Sequence, residues 1–263
     1  MKYHLLFLGA GLSFILVLTL VTSTAANAFS IPHSQTAVVA SKVAHVQLQA
    51  IRGKQEAQFL LGLLYLSGRF VAKDQQQGIE WISTAAEKGH HKAQQTLADL
   101  SFEGNIIKRD LITAERWYLM LSEQGNKWAQ FRLGSIYAAG GEGVARNCGK
   151  AVERFNLVGD EASLGNVVWI LATCPEAKYR NGDKALELAR SLIVLDHQDP
   201  NSLDNLAAAY AETGDYSAAV ETQQQAIHAL KGSKMVNLFD EFEQRLQSYQ
   251  QNKPFREVAP LMD

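Results

Sequence analysis

Few residues in this chain have the type and spacing that chemistry requires. Gly149-Lys150 has the look of the end of a phosphate-binding loop. The position five before Gly149 is Val144 and the residue after Lys150 is Ala151, so the glycine cradle and the metal-binding hydroxyl are both missing. The sequence contains no HExxH, GxSxG or CxxC. His90 and His91 are adjacent, so they point different ways on a turn and suit a loop between elements better than a metal. Catalytic residues: none; metal ligands: none; cofactors: none. The exceptions are Cys148 and Cys174, the sole cysteines. Two thiols suffice for one disulfide and for no four-cysteine zinc site.

The elements that position these side chains follow from composition and periodicity. The chain has 263 residues, 47% hydrophobic and 20% charged, which is a folded composition. Its formal net charge of -2 is too balanced for a surface that tracks phosphates, so no nucleic acid is expected as partner. Only five prolines occur, and residues 33–174 contain none, which favours helices. A period of 36 residues then dominates. Ala57, Ala93 and Ala129 obey it, as do Gly53, Gly89 and Gly125, and Gly68, Gly104 and Gly140. Leu61, Leu97 and Leu133, followed by Gly62, Ala98 and Gly134, complete one helix face per unit. Asp74, Asp110 and Asn147 announce a second helix by offering acceptors to free N–H groups. Trp81-Ile82, Trp117-Tyr118 and Arg154-Phe155 follow as inter-helix core, with the third unit displaced by one residue at Gly140-Gly141.

The run Ala57, Leu61-Gly62, Tyr65, Gly68, Asp74, Trp81 and Ala85-Ala86-Glu87-Lys88-Gly89 resembles the Sel-one-like repeat, a relative of the tetratricopeptide repeat. Repeat three departs from it at Arg154 and at Val158-Gly159. Further on, Leu206-Ala207-Ala208-Ala209-Tyr210, Ala219 and Ala226 resemble a tetratricopeptide repeat, preceded by a degenerate unit from Trp169 to Ala185. The resemblance implies an all-α fold, a right-handed α-solenoid of antiparallel helix pairs. Three Sel-one-like repeats are expected over 57–162, two tetratricopeptide-like repeats over 163–232, and a C-terminal capping helix and tail over 233–263. The stripe Leu238, Phe242, Leu246 and Tyr249 covers the end of the stack, and residues 251–263 are expected to fray. Residues 29–56 form an N-terminal linker and capping helix.

Residues 1–28 have the order of a secretory signal: Lys2, the apolar run Leu5 to Val21, then Ala26-Asn27-Ala28 before the expected cleavage. Localisation is therefore expected to be periplasmic or secreted, in a Gram-negative envelope, with membrane attachment only if the segment stays uncleaved. In an oxidising compartment, Cys148 and Cys174 at the facing ends of one helical hairpin are expected to form a disulfide, since their midpoint, residue 161, falls in its turn.

Such stacks line a concave face with the first helix of each unit, and the resemblance implies a protein or peptide partner there. The expected function is an exported adaptor without chemistry of its own; the alternative is a cell-envelope hydrolase or sugar-modifying enzyme whose site leaves no mark on the sequence. The partner groove is expected around repeats two and three, from Gln95, Asp99 and Phe102 on one first helix and Trp128, Phe131 and Ser135 on the next, with Trp169 in the equivalent slot beyond. These positions lie off the Leu97-Ala98 and Leu133-Gly134 packing stripe. Whether the aromatics anchor a partner or seal adjacent repeats is left open by sequence alone.

Overall fold

The computed structural model describes residues 35–194, 198–231 and 236–257, so the expected signal segment of 1–28 lies outside the described residues. Twelve α-helices and two short 3-10 turns account for the regular structure among them. In chain order the helices are α1 (Gln35–Ile51), α2 (Gln55–Ser67), α3 (Gln75–Glu87), α4 (His91–Glu103), α5 (Leu111–Glu123) and α6 (Lys127–Ala139). They continue as α7 (Cys148–Val158), α8 (Glu161–Thr173), α9 (Gly182–Ile193), α10 (Pro200–Glu212), α11 (Tyr216–Lys231) and α12 (Phe239–Gln250). Each packs on its successor, and α8 also meets α10, which makes an α-solenoid of hairpins.

The period of 36 is realised as a repeated start, packing contact and stop. Asp74, Asp110 and Asn147 accept hydrogen bonds from the backbone N–H of Gln77, Thr113 and Lys150, opening α3, α5 and α7. First helices have caps of their own, among them Asn126 on α6 and Asp160 on α8. Gly68 and Gly104 close α2 and α4 in the left-handed region, at φ 67° and 71°, where a side chain would be strained.

Between the helices of each hairpin, small faces large. Ile82 and Phe155 are buried against Gly62 and Gly134, and in the middle hairpin Tyr118 and Ala98 are buried at the equivalent places. A Cβ on Gly62 would lie 2.7 Å from the Gly78 carbonyl oxygen, which is why the two helices approach so closely there. The extra residue of unit three is taken up at Gly141, whose backbone pairs with Val144 in an isolated bridge before α7 begins. At the far end, Phe242, Leu246 and Tyr249 of α12 are buried, as the expected capping stripe requires. At the near end α1 buries only Ala50 and leaves Val38, Leu48 and Ile51 exposed.

The tail is not frayed throughout. Residues 253–257 return across the stack: the Glu257 N–H donates to the Thr173 carbonyl, and the Arg256 guanidinium reaches the Ala172 carbonyl and pairs with Glu212. Phe255 packs beside Tyr249 and Trp169. Two guanidinium groups converge on Glu212, because Arg180 pairs with it at 2.8 Å, and they tie the tail to α10. No helix among the described residues is long and apolar enough to cross a membrane.

Candidate functional site

Cys148 opens α7 and Cys174 follows α8, and the two are joined by a disulfide with Cα atoms 6.5 Å apart. The expected pairing is therefore present. Glu176 places a carboxylate oxygen 3.0 Å from Cys174 Sγ and is itself held by Arg146 at 2.8 Å. Cys148, Cys174 and Glu176 form a donor cluster within 4.8 Å, but the sulfurs are bonded to each other and offer no thiolate.

His90 has a structural task. Its Nδ1 accepts from the Ala93 N–H at the start of α4, and its Nε2 lies 2.8 Å from Glu56. That bond to His90 is the main influence holding the Glu56 carboxyl below its ordinary range.

The residues expected to line a groove at repeats two and three separate into surface and core. Trp128 is 43% exposed and stacks on Phe131 with ring centroids 6.0 Å apart. Its indole N–H donates to Asp99, which also accepts from the Tyr118 hydroxyl at 2.7 Å. Burial first, and the Asp99 charge second, push that hydroxyl far above its usual range. Gln95 is half-buried on the same helix. Two expectations fail here. Phe102 is wholly buried, edge-on to Tyr118 and covered by the Arg132 guanidinium, which lies 4.4 Å above its ring and 4.3 Å from that of Trp128. Ser135 is also buried, its hydroxyl donating to the Phe131 carbonyl one turn back. Neither is available to a partner, because a first helix packs both on its own hairpin and on the next, so leaving one stripe does not mean reaching solvent.

A concave surface lies one hairpin further along. A cavity of about 640 Å³ is lined by Phe131 of α6, by Glu161, Asn166 and Trp169 of α8, by Asn201, Asp204 and Asn205 of α10, and by Glu241, Phe242 and Arg245 of α12. First helices do form this wall. Phe131 belongs to it and also to the Trp128 stack, so an aromatic track leads from repeat three into the cavity. Trp169 stands inside, 6.2 Å from Phe255 of the tail, with Arg245 over its ring at 5.2 Å.

Asp204 and Arg245 anchor the floor. The Arg245 Nε–H donates to Asp204 Oδ1 at 2.8 Å, and Gln223 donates to the same oxygen at 2.7 Å. Burial pushes the Asp204 carboxyl up, opposed chiefly by the Arg245 charge. Burial likewise raises Glu257, with Glu241 and Asp204 adding to it and Arg245 and the Trp169 indole opposing. Sequence reasoning passed over these residues. The available signal was a charged side chain on an apolar stripe: Arg245 lies between Phe242 and Tyr249 on the buried face of α12.

Comparison with known proteins follows the same divisions. The Sel1 repeat family matches residues 55–90, 91–126 and 129–153, the third match being the shortest, in the unit that departs from the pattern. A Sel1 repeat protein from Oxalobacter formigenes, known from its crystal structure, superposes with a TM-score of 0.58 at 19% identity, over 83% of this chain and 70% of that one. A protective antigen present in uropathogenic Escherichia coli strains, displaying an SLR fold, is 21% identical over 82% of this chain and 61% of its own length, at a TM-score of 0.37. No curated protein matches the chain.

Proposed function

We propose that this chain, whose residues 55–90, 91–126 and 129–153 match the Sel1 repeat, is an exported scaffold that holds a protein partner along the concave face of its solenoid. Sel1 repeat proteins are generally scaffolds for protein–protein contact. The observation that carries the reading to this chain is the cavity walled by α6, α8, α10 and α12, with half-buried Trp169 and Phe131 inside it and exposed Trp128 at its approach. Large aromatics held by a rigid frame contribute disproportionately to interfaces, because they bury much area with little entropy to lose. Export is supported by the order of residues 1–28 and by the Cys148–Cys174 bridge, which suits an oxidising compartment. The hairpins over 163–232 are taken as tetratricopeptide-like continuations of the same stack.

The test uses the secreted, oxidised chain as bait for envelope proteins, beside Trp128→Ala and Trp169→Ala. A partner retained by the parent chain and lost from both variants, with helicity unchanged, is the expected result. A partner held equally by all three places recognition elsewhere and overturns the reading. Intact mass of the exported chain tests the leader, since a mass that keeps residues 1–28 contradicts cleavage.

A further inference from the structure

Five carboxylates line the concave cavity, those of Glu161, Asp199, Asp204, Glu241 and Glu257, against the single guanidinium of Arg245. That guanidinium is already committed. It is 4% exposed, bonded to Asp204 and 3.8 Å from Glu241. It also acts on Glu257, a half-buried carboxyl beside Glu241 and Asp204 that burial raises and Arg245 lowers, so one cation is shared among three of the five carboxylates. Between the acidic groups lie the half-buried rings of Trp169 and Phe131, surfaces on which a cation or an aliphatic stem can rest. Asn205, on α10, places its carboxamide beside Gly165 of α8 in the cavity wall, a donor and an acceptor for a main chain lying in the cavity.

Beside the cavity, at the C-terminal ends of α8 and α10, the chain holds a segment of its own. Phe255-Arg256-Glu257 lies along the edge of the cavity without helical structure, bonded through a main-chain N–H to the Thr173 carbonyl. Its ring meets Trp169, while its guanidinium takes the Ala172 carbonyl and the Glu212 carboxylate. An aromatic side chain, a basic side chain and a non-helical backbone are thus bound at once, each through a different feature of α8 and α10.

From the acidic lining, the aromatic floor and this internal example, we infer that the cavity between α8, α10 and α12 receives an extended segment of a partner protein through its lysine or arginine side chains. The inference rests on the scaffold reading and specifies the chemistry of the partner. Recognition is by charge and ring together: the backbone runs across the first helices, and a basic side chain enters between Glu161 of α8 and Glu241 of α12.

Three fluorescein-labelled nine-residue peptides test it against the intact oxidised chain by fluorescence anisotropy. Each has a central phenylalanine, with alanine alternating with lysine in the first, glutamine in the second and glutamate in the third. The lysine peptide is expected to bind about tenfold more tightly than the glutamine peptide, the worth of two or three solvent-screened ion pairs. The glutamate peptide is expected not to bind, and the lysine preference should fade as salt is added. The double variant Glu161→Gln/Glu241→Gln, which alters exposed side chains and gives up only the long 3.8 Å approach of Glu241 to Arg245, should erase most of the preference at unchanged helicity. Equal binding of the lysine and glutamine peptides, both lost in Trp169→Ala, overturns the charge selection while leaving the concave face a binding surface. Preference for the glutamate peptide, or no binding of any peptide, overturns the inference outright. Self-association of the chain that the lysine peptide does not reverse assigns the cavity to a second copy and overturns it as well.

Discussion

Gly62 shows how far a single methyl group matters to this stack. It faces Gly78 across the first hairpin, and its missing side chain is what lets Ile82 pack with no exposure. Gly62→Ala puts a carbon against a backbone carbonyl that has no room to retreat, so a loss of about 1–3 kcal/mol is expected. Gly165→Ala is the contrast, because its new carbon meets only the end of the Asn205 side chain at 3.2 Å, which can swing aside. There the gain in helix propensity, up to about 1 kcal/mol, should leave stability unchanged or raised. Thermal melts of both variants check the opposite signs, and equal losses would contradict the packing account. The small residue at 62, 98 and 134 was legible because it recurs at a fixed spacing. The burial of Phe102 was not, since nothing local to its own helix announces the Arg132 guanidinium that arrives from α6 to cover it.

Helix starts were read more surely than helix surroundings. Asp74, Asp110 and Asn147 act locally, within three residues of the N–H groups they satisfy, so sequence alone could place them. His90 does the same work on α4 with an imidazole nitrogen, a residue outside the usual capping set, and passed for loop. Asp110 allows an electrostatic test at this scale. Hydrogen bonds from the Thr113 hydroxyl and backbone N–H hold its carboxyl below the ordinary range. A carboxyl with a lowered folded value contributes fully above its unfolded pKa and loses that contribution as pH falls through the folded value. Asp110→Ala should therefore cost about 1 kcal/mol near neutrality. Its deficit against the parent should shrink in acid, because the parent gives up its charged cap there. Urea midpoints of the two chains across an acid series measure this, and a deficit constant with pH would refute it.

At the scale of the whole molecule, the order of hairpins follows from a period that repeats along the chain, whereas the cavity depends on helices far apart in it. Phe131 and Arg245 line one wall system although 114 positions separate their numbers, and no local pattern encodes that meeting. The seat of the tail was misjudged for the same reason: polar, proline-containing residues after a last helix look like an unattached end until Thr173 and Glu212 are in place to receive them. Cys148 and Cys174 were the exception among distant pairs, since a hairpin folds symmetrically about its turn. Their bond has a mechanical consequence. It encloses nearly all of α7 and the whole of α8, a span of 26 residues, so a pull on the two chain ends bypasses that hairpin. A stretched oxidised chain should stop short of its full contour by about 90 Å, at roughly 3.5 Å per residue. Single-molecule extension with and without reductant measures that withheld length, and Cys148→Ser should release it in either condition. While the bond holds, the junction between the first three hairpins and the cavity transmits tension without paying out slack, so α8 stays at a fixed distance from the hairpins before it.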